Sequence, residues 1–223
     1  MFHMKIFFIH LENCFVLQEC GIPLETLVYR DQLDIADILK TTRVTTSLVD
    51  HHVLSKHDQI LESTVTQIFD HRPIDPSTDW NKRNVKLKIE EVGSCSTLIA
   101  AEIFKVDENI LSKEMAYLIY ETMIYDTVAL LPENGRAKEL DLTIAKKLEE
   151  KFSFTEGRIA VFEKILEAHN NVSQLTPSQM LMKDLKIVDN IPVPGLPMLV
   201  QNFLKIDAAY NAIENFAAIT TRL

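Results

Sequence analysis

Two short apolar runs that each stop on Asp-His limit what this chain can become. Ser47-Leu-Val-Asp-His-His-Val53 is the first, and Gln67-Ile-Phe-Asp-His-Arg-Pro73 repeats the pattern with its aspartate twenty positions later. A brief apolar run bounded by polar residues reads as a buried strand. Both strands therefore deliver a carboxylate and an imidazole to one edge of a sheet. In open α/β sheets, ligands bind at the carboxyl ends of the strands. Oxygen and nitrogen donors gathered there suit a divalent ion such as Mn²⁺.

The neighbouring segments fit the same rhythm. Thr26–Asp31 reads as a strand ending in Asp31, Thr45–Asp50 as a second and Val65–Asp70 as a third. Short helices over Asp34–Leu39 and Ser55–Glu62 connect them. Strands separated by crossovers of this length argue for parallel βαβ units. Asp31 itself is better explained as a helix N-cap or as the neighbour of Arg30. Residues 6–18 are apolar without a clean period and fit either a strand or a helix. After a polar loop over 74–84, whose large apolar residue is Trp80, Val85–Val92 alternates like an edge strand with one wet face.

The second half reads as helices. Gly93-Ser94 opens one running to about Lys105, and Ser94 serves equally as a phosphate seat or as an ordinary cap. The next starts near Ser112, has Met115, Leu118, Ile119, Thr122 and Met123 at core spacing, and ends at Asp126. A carboxylate at a helix C-terminus opposes the macrodipole, so a cation should lie beside it, either a metal ion or Arg136. A helix follows from Glu139 to Phe152, and Ser153-Phe-Thr-Glu156 reads as a capping box opening another, with Ile159, Phe162 and Leu166 inward. Thr176-Pro-Ser-Gln179 starts a further helix carrying Lys183, Asp184 and Lys186. Pro192, Pro194 and Pro197 leave at most an edge strand, and Asp207–Ile219 is helical.

Composition narrows the function. The 223 residues are 47% hydrophobic and 25% charged, with net charge −9, which supports a substantial core and disfavours binding to a nucleic-acid backbone. Cys14, Cys20 and Cys95 are odd in number and lack metal-ligand spacing, as expected for a reducing, cytoplasmic compartment. No apolar run approaches the ~20 residues of a membrane span. At the start of the chain, His10 and Glu12 break an apolar run that otherwise imitates a signal peptide.

Four segments together carry a resemblance: Ser47–Ser55, Phe69–Ile74, Val92–Leu98 and Leu175–Lys186. In that order they resemble the DHH phosphoesterase superfamily, and within it the prune proteins, relatives of exopolyphosphatases and family II inorganic pyrophosphatases. The resemblance implies an α/β fold in which a parallel-sheet DHH domain with helices on both faces is followed by the start of a second α/β domain of the DHHA2 type. Its boundaries would be residues 1–170 and 171–223. It implies two Mn²⁺ ions per site (or Mg²⁺ or Co²⁺), with Asp50 bridging them and His71 and Asp126 completing the shell of one. His52 would face the phosphoryl group with His51 supporting it. Arg72 would sit near the phosphate, and Lys186, with Lys183 as a weaker candidate, would contact it from the second domain.

The implied reaction is hydrolysis of phosphoanhydride bonds in pyrophosphate or short polyphosphate, or of a cyclic nucleotide diester. The partner is thus a small phosphate compound, with neither nucleic acid nor membrane expected. Family members begin with a strand bearing an Asp-x-Asp pair, whereas the acids of Met1–Gly21 are Glu12 and Glu19. The expectation is therefore a prune-type chain trimmed at both ends with weak turnover. A scaffold protein keeping the fold without catalysis is the alternative. A single-strand nuclease is disfavoured by the acidity and the DHHA2-like segment.

Overall fold

The structure, a computed structural model, describes residues 4–80, 83–189 and 191–220. The chain divides into two compact units, one formed by Met1–Gln32 with Ile165–Leu223 and the other by Leu33–Lys164. Helices α1 (Met4–Phe7) and α2 (Leu11–Glu19) belong to the first unit. The segment expected as a strand over Thr26–Asp31 is instead two single 3₁₀ turns, Leu24–Thr26 and Arg30–Gln32. Local bonds explain this: the Thr26 hydroxyl donates to the Pro23 carbonyl at 2.6 Å, and Tyr29 N–H donates to the Gln32 side chain at 2.9 Å. Side chains that satisfy nearby backbone groups compete with a sheet ladder.

The unit Leu33–Lys164 is built on a three-stranded parallel sheet, β1 (Thr46–Val49), β2 (Val65–Asp70) and β3 (Lys86–Ile89), in the order β1-β2-β3. Helix α3 (Ile35–Thr41) precedes it, capped by the Asp34 carboxylate, which accepts the Asp37 N–H. Leu48 pairs with Ile68, and Ile68 with Leu87, so β2 is central. Ile68 is fully buried and packs with Leu48, Val65 and Trp80. Covering a residue from both sides in this way is what fixes a parallel sheet's register. The expected helix over Ser55–Glu62 is a 3₁₀ stretch, Gln59–Thr64. Leu61 is its buried residue, and the Thr64 hydroxyl closes the turn on the Leu61 carbonyl.

Helices α4 (Cys95–Val106), α5 (Lys113–Asp126) and α6 (Glu139–Phe152) follow, with α4 against β2 and α5 and α6 against α4. Ser94 and Ser112 cap α4 and α5 as expected. The buried face of α5 is rotated from the expected one: Ala116, Tyr120, Met123 and Ile124 are inside, and Met115 is exposed. Packing against both α4 and α6 broadens and turns the stripe beyond what one apolar face predicts. Ser153 ends α6 in a left-handed conformation (φ 52°) instead of opening the next helix, α7 (Arg158–Asn170). Val161 and Ile165 are the buried residues of α7, whereas Ile159 is exposed.

In the first unit, the Thr176–Gln179 capping box starts α8 (Pro177–Lys183), which stops there. Lys186 lies on β4 (Asp184–Val188), not on the helix, and β4 pairs antiparallel with β5 (Ile191–Gly195). Pro192 and Pro194 are accommodated because β5 is an edge strand. Helices α9 (Val200–Phe203) and α10 (Ala209–Thr220) complete it, around a core of Ile9, Leu175, Leu181, Phe203 and Ala212. Among the described residues, no helix is long and apolar enough to cross a membrane.

Candidate metal centre

Asp50 sits one residue past β1 in the left-handed region (φ 64°), a conformation aspartate tolerates better than most residues. Its N–H still donates to the Phe69 carbonyl at 2.9 Å, so the backbone leaves the sheet at a fixed point. His71 leaves β2 one residue past its end. Its Nε2 lies 3.1 Å from Asp50 Oδ1. The other ring nitrogen, Nδ1, donates to the Val92 carbonyl at 2.9 Å. A carbonyl can only accept, so Nδ1 carries a proton, and Nε2 is the ring atom that faces the Asp50 oxygen. A carbonyl behind the ring is the usual way a metal-binding imidazole is oriented.

Asp126 is the last residue of α5. Its Oδ2 accepts the Ser94 hydroxyl at 2.6 Å. Although Asp126 keeps solvent contact, desolvation by its neighbours is the largest influence and raises its carboxyl pKa. The Ser94 bond opposes that rise, Asp50's charge adds to it, and His71 and Arg136 oppose it. Arg136 donates to the Asp126 backbone carbonyl at 3.4 Å and so supplies part of the positive charge that this helix end calls for. Among the described residues, Asp50, Asp70 and His71 bring ligand atoms within 4.8 Å of one another, a group that does not include Asp126. That donor set fits a divalent ion of the Mn²⁺ or Mg²⁺ kind.

Asp70 also lies within ligand distance of Asp50 and His71, yet its oxygens are engaged elsewhere. Oδ2 accepts from His52 Nδ1, and Oδ1 accepts the N–H groups of His71 (2.7 Å) and Arg72 (3.1 Å). Burial alone would raise this fully buried carboxyl, but the His52 ring and the two amides outweigh it and hold the pKa low. Asp70 thus shapes the turn that presents His71. Sequence reasoning did not single it out as a site residue, although the second Asp-His pair contains it.

His52 departs from its expected role. Its Nδ1 is bound to Asp70, and its Nε2 accepts the Asp75 N–H at 2.8 Å. The Trp80 indole N–H donates to the His52 carbonyl at 2.7 Å, closing the 74–80 loop over a buried ring. With both nitrogens used inside the protein, His52 braces the loop. His51 is half-buried and donates from Nδ1 to the Val49 carbonyl. Arg72 is exposed, 3.8 Å from Asp50 Oδ2.

The two lysine candidates belong to the first unit. Lys186 is exposed on β4, 3.5 Å from Asp184. Lys183 is buried, and its ammonium donates to Glu12 at 2.8 Å and to the Ile9 carbonyl at 3.2 Å. Its charge is therefore neutralised inside the unit.

No protein-family model matches the chain. Among curated proteins, it is 37% identical over 174 residues to human exopolyphosphatase PRUNE1, covering 78% of this chain and 38% of the human protein. The bovine counterpart is 34% identical over 198 residues, 87% of this chain and 43% of that protein. The chain is a homologue of the prune proteins. Among solved structures, a putative family II inorganic pyrophosphatase from Methanococcus jannaschii superposes with a TM-score of 0.60 at 26% identity. That match covers 81% of this chain and 57% of the pyrophosphatase. This prune homologue therefore shares its α/β fold with a family II pyrophosphatase. It spans less than half the length of the two curated relatives, 38% and 43%.

Proposed function

We propose that Leu33–Lys164 carries the metal-binding half of a phosphohydrolase acting on phosphoanhydride bonds, with pyrophosphate or short polyphosphate as substrate and the cytoplasm as its compartment. The observation that carries this reading is His71 Nε2 facing Asp50 Oδ1 at 3.1 Å, with the Val92 carbonyl holding the other ring nitrogen. Asp50, His71 and Asp126 would hold the ion. A divalent ion in that position supplies a Lewis acid for phosphoryl oxygens and acidifies water. Around it, Arg72 and Arg136 offer guanidinium groups matched to phosphate oxygens, and His51 offers a second imidazole. Asp70 and His52 hold the turns.

The names of the relatives support the substrate class: they are exopolyphosphatases, and the structural neighbour is a putative inorganic pyrophosphatase. The test is phosphate release from pyrophosphate and tripolyphosphate with and without Mn²⁺, comparing this chain with Asp50→Asn. Release that needs Mn²⁺ and disappears in Asp50→Asn is the expected result. Equal release by both proteins would overturn the assignment.

A second reading, a scaffold protein that binds metal without turnover, is favoured by one observation. Residues 4–21 contain no aspartate and form helices α1 and α2, and Glu12 is tied to Lys183. Glu12, one of that segment's two acids, is thus held inside its own unit. Mn²⁺ binding without phosphate release would select this reading.

A further inference from the structure

Asp141 is the third residue of α6 and is fully buried. As a capping residue it needs to reach only its own helix start, and it does: Oδ2 accepts the Lys138 N–H at 2.7 Å. It goes further. The same oxygen accepts the Gly93 N–H at 2.7 Å, and Oδ1 accepts from the Thr97 hydroxyl and, at 3.4 Å, from the Ser94 N–H. One buried carboxylate thus joins the start of α6 to the start of α4, 48 residues earlier in the chain. Taking a carboxylate out of water is unfavourable unless hydrogen bonds replace the solvent, and several donors converge here to do so.

Gly93 shows how tight the junction is. A Cβ at that position would lie 2.6 Å from Thr127 Cγ2, 2.9 Å from the Arg136 carbonyl oxygen and 3.1 Å from Asp141 Oδ2. Three segments therefore meet at one point: the turn into α4, the end of α5 and the stretch 136–138. Each contributes a group to the centre, namely the Ser94 hydroxyl, the Asp126 carboxylate and the Arg136 guanidinium.

We infer that Asp141 is a positioning residue for the metal centre. It holds the Gly93–Ser94 turn where the Ser94 hydroxyl fixes one oxygen of Asp126, leaving the other for a divalent cation. This rests on Asp126 being a ligand. Partners that orient ligands typically alter metal affinity by ~10–100-fold when removed.

The experiment is calorimetric titration with Mn²⁺ of the whole chain and its variants, alongside thermal melts. Asp141→Asn keeps the volume but loses the charge, and should bind Mn²⁺ ~10–100-fold more weakly. Leu148→Ala, a buried change elsewhere on α6, should lower the melting temperature and leave Mn²⁺ affinity as in the wild type. Ser94→Ala should also weaken binding, and adding it to Asp141→Asn should produce less than the product of the two effects, because both act through Asp126. Should Asp141→Asn fail to fold, Thr97→Ala loosens only the α4 side and should still weaken binding several-fold. Wild-type affinity in Asp141→Asn, or in Thr97→Ala where that variant replaces it, overturns the inference. So do fully multiplicative effects in the double variant. If Asp50→Asn then abolishes binding, the centre itself stands. A wild-type chain that takes up no Mn²⁺ removes the centre, and the inference with it.

Discussion

His71 Nε2 and Asp50 Oδ1 lie 3.1 Å apart although their residues follow different strands, and neither atom is turned there by chance. The Val92 carbonyl orients the ring, and the left-handed backbone at Asp50 directs the carboxylate off the end of β1. Two electron-rich atoms at this distance are stable when a proton or a cation lies between them. Strained backbone at such a point is common where function over-determines the conformation.

Mn²⁺ should therefore raise the melting temperature, because an ion that binds only the folded chain stabilises it by mass action, about 2.7 kcal/mol at 100 times its Kd. Asp50→Asn and His71→Ala should each remove most of that response. Differential scanning calorimetry with and without Mn²⁺ measures it. An undiminished shift in both variants would show that the ion binds elsewhere.

Asp126→Asn should separate stability from binding. The Asp126 carboxyl sits above its ordinary value, first because of desolvation and then because of Asp50's charge. A carboxyl raised in the folded state favours folding while protonated, and that contribution is lost as pH rises through its titration. At neutral pH, the metal-free Asp126→Asn variant should thus melt higher than the wild type while losing its response to Mn²⁺. A lower metal-free melting temperature would mean that the Ser94 and Arg136 contacts outweigh the desolvation.

Asp70→Ala should be the most disruptive change near the centre. It deprives His52 and the His71 and Arg72 amides of a buried acceptor, and each buried donor left unsatisfied costs about 1–3 kcal/mol. Chemical denaturation reads the loss directly. A change under about 1 kcal/mol, the scale of one ordinary hydrogen bond, would mean that water replaces the carboxylate.

What could be read from the sequence was local. The strands β1 and β2 announce themselves by apolar runs that end on aspartate, and Ser94, Ser112 and Thr176 by their spacing to the helices they cap. Asp70 and Asp141 could not be read in the same way. Asp70 accepts from distant His52 as well as from the two amides that follow it, and Asp141 from the Gly93–Thr97 turn; no short window shows such distant partners. The helix over Ser55–Glu62 failed because one buried leucine cannot sustain an amphipathic face, and Ser153 was misjudged because a left-handed residue leaves no periodic trace. Lys186 changed element because α8 stops at Lys183, before the stretch the helix was expected to cover.

The buried pair of Glu12 and Lys183 supplies the last prediction. Lys183 Nζ lies 2.8 Å from Glu12 Oε2, which also faces His169 Nδ1 at 3.3 Å, while His10 Nδ1 is 3.1 Å from Oε1. Burial by itself would raise the Glu12 carboxyl, but His10, His169 and Lys183 together hold it well below the ordinary carboxylate value of 4.5. A depressed folded pKa gives stability that is present above the unfolded value and is lost as pH falls below it. Acid unfolding of the wild type should therefore begin below about pH 4.5, with a share of the slope that Glu12→Gln removes. At neutral pH, Glu12→Gln leaves the Lys183 ammonium buried beside a neutral amide, at a cost of about 3–5 kcal/mol. Replacing both, with Lys183→Met added, should destabilise by less than the sum of the single changes, because neither charge is then left without its partner. Denaturant melts of the four proteins at pH 7 and pH 4 measure the coupling. Additive losses would show that the two residues do not act as a pair.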